Sequence, residues 1–364
     1  MTKTFFLVIS ILAIILLGGV VGIRYFKNSI NTLFVQSANQ KLIAPSPTPI
    51  GPVAQKIHET LFVPYWSFSD NSEDIGSHAT VVYFGLGVNS HGVVTSDEGY
   101  KKLPSFVSLT KGSKKILAVR MTDTSSNTNI LKDKKAQETI VSEVITIARD
   151  NGFDGILLNI EVSALPFTSL INQITAFNTL FADRSHAGNL TYSITAYGDT
   201  FYRARPFDMK KLGEKADHVY VMAYDFHKAK GNPGPNFPLK GNDVYGYDME
   251  RMINNFANVV DLKKLVVIFG MYGYDWVVDE KDVAQEIGAP LSLLEVSSGI
   301  VDNCNHDLCS WERDGISSET KAVYEDEGQK HVVWFEDKES VKRKQEFLKQ
   351  HGIGEFAYWA YSYF

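Results

Sequence analysis

Only two cysteines occur in the 364 residues, and both lie in one short segment, Asn303-Cys304-Asn305-His306-Asp307-Leu308-Cys309. So few thiols exclude a cysteine-stapled scaffold. A pair this close on a loop can close a small disulfide ring suited to an oxidising exterior. Zinc would need four ligands from the crowded set Cys304, His306, Asp307 and Cys309, and two reduced, inert thiols are the third reading. No GxGxxG follows a strand-like run, and no Walker-type GxxxxGK(S/T), no HExxH and no GxSxG occurs, so nucleotide and zinc-protease readings lose their usual support and neither metal nor cofactor is expected. Positive charge is also short, with 36 Lys+Arg against 42 Asp+Glu. The first 54 residues hold Lys3, Arg24, Lys27 and Lys41 but no acid, which leaves 32 bases against 42 acids beyond them, a balance of −10. Such a body is a poor nucleic-acid binder, and no nucleic-acid partner is expected.

One long apolar run is present. Phe5 to Ile23 is 19 residues without a charge, long enough to cross a bilayer and longer than the usual apolar core of a cleavable signal. Residues 1–28 therefore read as an N-terminal membrane anchor. Cleavage is the alternative, with a weak small-residue match at Val35 to Ala38. The flanking charges, Lys3 and the α-amino group on one side and Arg24 and Lys27 on the other, leave orientation nearly tied. Pro45-Ser46-Pro47-Thr48-Pro49-Ile50-Gly51-Pro52 favours extended polyproline geometry, so residues 29–55 read as a semi-rigid linker and residues 56–364 as the folded body.

Within that body, eight apolar runs read as strands: 61–66, 80–87, 115–121, 155–161, 190–196, 218–225, 264–272 and 355–361. Amphipathic stretches such as 135–149 and 340–350 separate several of them. Buried strands alternating with helices imply a parallel sheet, and eight imply an α/β fold of the (β/α)8 TIM-barrel type. The gap between Tyr272 and Glu355 exceeds one helix and contains Val332-Val333-Trp334-Phe335, so a small subdomain is expected between strands 7 and 8, over about 277–340. In such barrels the chemistry collects at the C-terminal ends of the strands.

The fourth run, Asp154-Gly155-Ile156-Leu157-Leu158-Asn159-Ile160-Glu161, is apolar except at its ends and at Asn159. Strand alternation puts Leu157, Asn159 and Glu161 on one face. If that face is inward, Glu161 sits at the mouth, where desolvation should raise its pKa and suit it to general-acid work. A Glu that merely caps a strand is the ordinary alternative. The sixth run ends Met222-Ala223-Tyr224-Asp225, a tyrosine and a carboxylate that can bind a polar ligand. Phe269 to Trp276, with Tyr272, and Ala357 to Trp359 add aromatic rings at two further strand ends. Each ring alone is more often core than platform; their concentration at strand ends is the informative part. Basic stretches at 111–115 and 338–344 read as solvated faces, and His227 as a solvated loop histidine near the mouth.

DGILLNIE resembles the DxxDxDxE signature of glycoside hydrolase family 18, the chitinase-like barrels, and VMAYDFH resembles that family's MxYD motif. FGMYGYDW, HVVWFEDKESVKRK and EFAYWAY are similar to the seventh strand, insertion and eighth strand of bacterial members that cut peptidoglycan or spore cortex. The resemblance implies a glycosidase acting on β-linked N-acetylglucosamine, with that glycan as partner. It implies Glu161 as acid and then base, and Tyr224 as the group that binds the substrate's acetamido oxygen. Asp225 and Met222 would line the sugar subsite with Tyr272 and Tyr65, Trp359 would form its floor, and Asp154 would be structural. The glycan, the spacer and a disulfide together imply a single-pass membrane protein with its body outside the cytoplasm.

The pattern is broken at two positions, where Leu157 and Asn159 replace aspartates. Asn159 can still accept the acetamido N–H but cannot supply negative charge, a loss of about 1–2 kcal/mol in transition-state stabilisation, or roughly tenfold in rate. The replacements agree with each other, because a lone carboxylate above Leu157 would be buried without a partner. A non-catalytic glycan-binding barrel and a purely structural role are the competing readings.

Overall fold

The computed structural model describes residues 58–72, 75–304 and 309–364. The expected anchor and linker lie outside the described residues, among which no helix is long and apolar enough to cross a membrane. Eight parallel strands form the centre: β1 (His58–Pro64), β2 (Thr80–Asn89), β3 (Lys114–Met121), β4 (Gly155–Ile160), β5 (Thr191–Tyr197), β6 (His218–Ala223), β7 (Leu265–Gly270) and β13 (Glu355–Trp359). Each pairs with its neighbours in the order β1-β13-β7-β6-β5-β4-β3-β2, and β2 pairs back onto β1. The expected (β/α)8 barrel is present.

These strands form because their residues are apolar on both faces. The inward set, which includes Phe62, Val82, Ile116, Leu157, Tyr220 and Ile268, fills the barrel, while the outward set packs beneath the helices. The α-helices of seven residues or more among the described residues are α1 (Leu103–Leu109), α2 (Thr124–Lys132), α3 (Lys134–Asp150), α4 (Thr168–Ala187), α5 (Met209–Lys215), α6 (Met249–Ala257) and α7 (Lys338–Gln350). In α3 the buried Ala136, Ile140, Val141, Val144 and Ala148 recur at helical spacing on the face turned to the sheet. Asp123, Asp133, Asp208, Asp248 and Asp337 each accept a backbone N–H at the start of a helix, so part of the acid surplus serves as N-caps.

The seventh apolar run is not one strand. It breaks at Met271, and Tyr272 opens a second, antiparallel sheet of β8 (Tyr272–Val278), β9 (Ala289–Ser292), β10 (Cys309–Arg313), β11 (Thr320–Asp326) and β12 (Gln329–Phe335), ordered β9-β8-β12-β11-β10. Trp276, Val278, Val332 and Trp334 give it a small core of its own. Cys304 and Cys309 are joined by a disulfide, with Cα atoms 5.1 Å apart, at the start of β10.

The basic stretch 338–344 departs from a solvated face at its last residue. Lys344 is fully buried, its Nζ 2.7 Å from Glu319 Oε1 and 2.5 Å from Glu336 Oε2. Burying a lysine is costly unless it is paired. The sequence neighbours of Lys344 do not reveal the two carboxylates that the insertion brings to it.

Candidate active site

Glu161 follows the last residue of β4, and its backbone is held at both groups. Its N–H donates to Met121 O at 2.7 Å, and its carbonyl accepts from Asn127 Nδ2 at 2.8 Å. Asn127 is buried on α2 and also bonds Met121 O, so one amide ties the ends of β3 and β4 together. Two residues deeper, Asn159 is 2% exposed. Its Nδ2 donates to Glu161 Oε1 at 3.0 Å, and its Oδ1 accepts from Thr195 Oγ1 at 2.7 Å. A carboxylate can only accept, so an ionised Glu161 requires this amide orientation. The Tyr197 hydroxyl reaches Glu161 Oε2 at 3.5 Å. Leu157, beneath, is fully buried in the barrel interior.

Opposite the acid stands the end of β6. Tyr224 presents a hydroxyl with no hydrogen-bond partner among the described residues. Burial, with the Asp225 and Glu161 charges adding to it, pushes that phenol well above its usual range, so it remains a proton donor at any working pH. Asp225 takes a left-handed backbone, φ 58°, uncommon for a residue other than glycine. Its N–H donates to Asn236 Oδ1 at 2.7 Å, and its Oδ1 accepts the hydroxyls of Tyr272 at 2.5 Å and Tyr274 at 2.7 Å. Gly270 makes room here, since a Cβ on it would lie 2.8 Å from Tyr224 Cβ.

Trp359 ends β13 with its ring 6.5 Å from that of Tyr224 and edge-on to Phe84 at 4.9 Å. These groups line a cleft of about 460 Å³ at the C-terminal end of the barrel, with Glu161, Asn159, Tyr224, Asp225, Met222, Tyr272 and Trp359 all on its wall. Of the residues singled out by sequence, Tyr65 lies off this wall: its ring packs under the Arg120 guanidinium at 4.8 Å. Its neighbour Trp66, 49% exposed, approaches Trp359 instead, at 6.3 Å. Asp154 is at the other end of β4, where its carboxylate accepts Lys115 N at 2.7 Å and fixes the register of β3 and β4. His227 also lies off the cleft wall, half-buried with Nδ1 on Pro235 O at 2.7 Å, and burial lowers its pKa.

Several wall residues were not singled out by sequence. Thr195 and Tyr197 come from β5, and Asp199 and Arg205 from the segment after it. Asp199 is buried between two guanidiniums: its Oδ1 takes Arg205 Nε at 3.0 Å and Nη2 at 2.6 Å, and its other oxygen takes Arg203. The Arg205 guanidinium lies over the Tyr197 ring, 3.6 Å from the centroid. The only signal in the sequence was the alternation of β5, which puts Thr195 and Tyr197 on one face. Among the described residues no cluster of histidine, cysteine and carboxylate side chains could hold a metal ion.

The arrangement can protonate a leaving oxygen from Glu161 while Asn159 and Tyr224 hold a polar substituent over an aromatic floor. Residues 60–363 match the family described as glycosyl hydrolases family 18. The chain belongs to this family. It is 26% identical over 241 residues to the cortical fragment-lytic enzyme of Bacillus subtilis, a match covering 63% of this chain and 51% of that protein. The chain thus spans about half the length of curated relatives that it matches. The chitinase of Chromobacterium violaceum superposes with a TM-score of 0.69 at 19% identity, over 85% of this chain and 95% of that one. Human YKL-39, described as a pseudo-chitinase with retained chitooligosaccharide binding, superposes with a TM-score of 0.70 at 15% identity, over 84% and 92%. Proteins described as a chitinase and as a pseudo-chitinase thus share this fold, and fold alone does not decide what the cleft does.

Proposed function

We propose that this family 18 protein is a glycosidase that hydrolyses β-linked N-acetylglucosamine in peptidoglycan or chitin with retention of configuration. The carrying observation is the set Glu161, Asn159 and Tyr224 around one cleft floored by Trp359. Protonated Glu161 delivers its proton to the glycosidic oxygen as the bond to the anomeric carbon breaks. The substrate's acetamido carbonyl oxygen attacks that carbon from the opposite face, giving a cyclic oxazolinium, and the Tyr224 hydroxyl donates to the same acetamido group. The Glu161 carboxylate, stabilised by Asn159 Nδ2, then removes a proton from the water that opens the ring. Two inversions leave the configuration unchanged. Asn159 Oδ1 retains a second lone pair beside the Thr195 hydroxyl, and that lone pair is the acceptor for the acetamido N–H.

A glycan-binding barrel without turnover is the second reading, favoured by the neutral Asn159 and Leu157 where the family pattern carries two acids. The proposal also takes Phe5 to Ile23 as a membrane anchor and the proline-rich stretch as a spacer, with the barrel outside the cytoplasm. The Cys304–Cys309 disulfide suits an oxidising exterior.

The deciding experiment is mass spectrometry of products from chitooligosaccharides and peptidoglycan fragments, using the full-length chain in detergent with Glu161→Gln in parallel. Products ending in N-acetylglucosamine from the wild type alone establish the enzyme. Binding by both proteins without products establishes the lectin-like reading.

A further inference from the structure

The body carries a surplus of ten acids, yet the cleft wall includes two cations, Arg205 and Lys228, beside its carboxylates Glu161, Asp199 and Asp225. Arg205 lines the cleft with its side chain only 13% exposed, locked by Asp199 and by the Tyr197 ring whose hydroxyl reaches Glu161. Asp199 is shared with Arg203, so a single carboxylate faces two guanidiniums. Lys228, from the segment after β6, lines the same cleft, is exposed, and makes no ion pair or side-chain hydrogen bond with a described residue. The remaining carboxylates of the wall are engaged elsewhere: Asp225 accepts two tyrosine hydroxyls, and Glu161 takes Asn159. A neutral amino sugar leaves the Lys228 charge unanswered. A carboxylate on the glycan would answer it, in a cleft whose partly enclosed walls strengthen the attraction.

We infer that the cleft selects a glycan whose N-acetylhexosamine units carry a carboxylate, with Lys228 and Arg205 as the groups that receive it. This rests on the glycan reading above and narrows it from either polymer to the anionic one. In peptidoglycan that carboxylate has two sources. One is the 3-O-lactyl group of muramic acid, free where the stem peptide has been removed; the other is the stem peptide itself.

The test is calorimetric binding to full-length Glu161→Gln protein, which separates affinity from turnover. Chitotetraose is compared with the peptide-free tetrasaccharide of alternating N-acetylglucosamine and N-acetylmuramic acid, with that tetrasaccharide amidated at its lactyl groups, and with the peptide-bearing form. The expected result is about fivefold tighter binding of a carboxylate-bearing glycan than of chitotetraose at low salt, shrinking as salt is raised. Adding Lys228→Gln should reduce that ratio and Lys228→Glu should reverse it. Preference for the peptide-free acid that disappears on amidation assigns the lactyl group; preference only for the peptide-bearing form assigns the stem peptide. Equal affinities that ignore salt and both Lys228 substitutions overturn the inference while leaving a glycan-binding cleft. Failure to bind any of the four glycans overturns the glycan reading itself.

Discussion

In the proposed mechanism Thr195 holds the site and Tyr224 acts on the substrate. Thr195 fixes the Asn159 amide at 2.7 Å, and Thr195→Val keeps the shape while leaving that buried oxygen without its donor. A net loss of about 1 kcal/mol in orientation is expected, read as a fall in kcat of roughly fivefold to tenfold with KM little changed, by steady-state assay on chitooligosaccharides. Tyr224→Phe is the complementary case. Its hydroxyl bonds no described residue, so thermal stability should hold while kcat falls by about 100-fold, the scale expected for one donor aimed at developing charge. A parallel loss of stability would mean that the hydroxyl is structural and that the acetamido role is misassigned. The places of Glu161, Asn159 and Tyr224 on one cleft wall were legible in the sequence because strand alternation and two motifs mark them. Thr195, Tyr197 and Arg205 were not, because nothing local distinguishes a polar residue on an inward face until a neighbouring strand places a partner beside it.

At the level of elements, the second sheet supports the site from behind as well as through the Tyr272 and Tyr274 hydroxyls on Asp225. Glu319, from the segment before β11, accepts the backbone N–H groups of Asn236 at 2.5 Å and Phe237 at 2.7 Å. The Asn236 side chain passes this on, accepting Asp225 N and donating to Tyr272 O at 3.1 Å. The loop after β6 is therefore held by the second sheet. Asn236→Ala should leave the Asp225 N–H without its acceptor and take one of two donors from Tyr272 O, costing about 1–3 kcal/mol and raising KM through displacement of Asp225; denaturant melts and steady-state kinetics on one preparation check both. Unchanged KM with lowered stability would confine Asn236 to a packing role. Of the five strands in the second sheet, sequence flagged only Val332 to Phe335 as a further strand. The edge strands β9 and β10 are short and partly exposed, and such strands leave no long apolar run to read.

For the whole molecule, the Glu319–Lys344–Glu336 cluster joins the second sheet to α7 in a setting without solvent. Burial pushes the Glu336 carboxyl up to about 7, against the pull of the Lys344 ammonium. The folded protein thus holds this proton more tightly than the unfolded chain does. Its stabilising contribution is complete below the ordinary value of 4.5 and is lost as pH rises through about 7. Urea midpoints should fall across that window by an amount that Glu336→Gln removes; a slope that survives the substitution would assign it to another group. Lys344 also shows where sequence reading stops. Within its helix it resembles the solvated lysines around it, and only the sheet folded over α7 makes it a buried cation. The sequence by itself determined the barrel, because buried parallel strands must be apolar on both faces and so announce themselves as uninterrupted runs. It also marked Glu161 and Tyr224, which sit at strand ends where such a barrel opens. Tertiary structure alone decided what surrounds them: the threonine behind Asn159, the arginine on Tyr197, the lysine at the rim and the glutamates around Lys344. Those contacts join residues far apart in the chain, and their chemistry depends on distances that closure of the barrel and docking of the second sheet create.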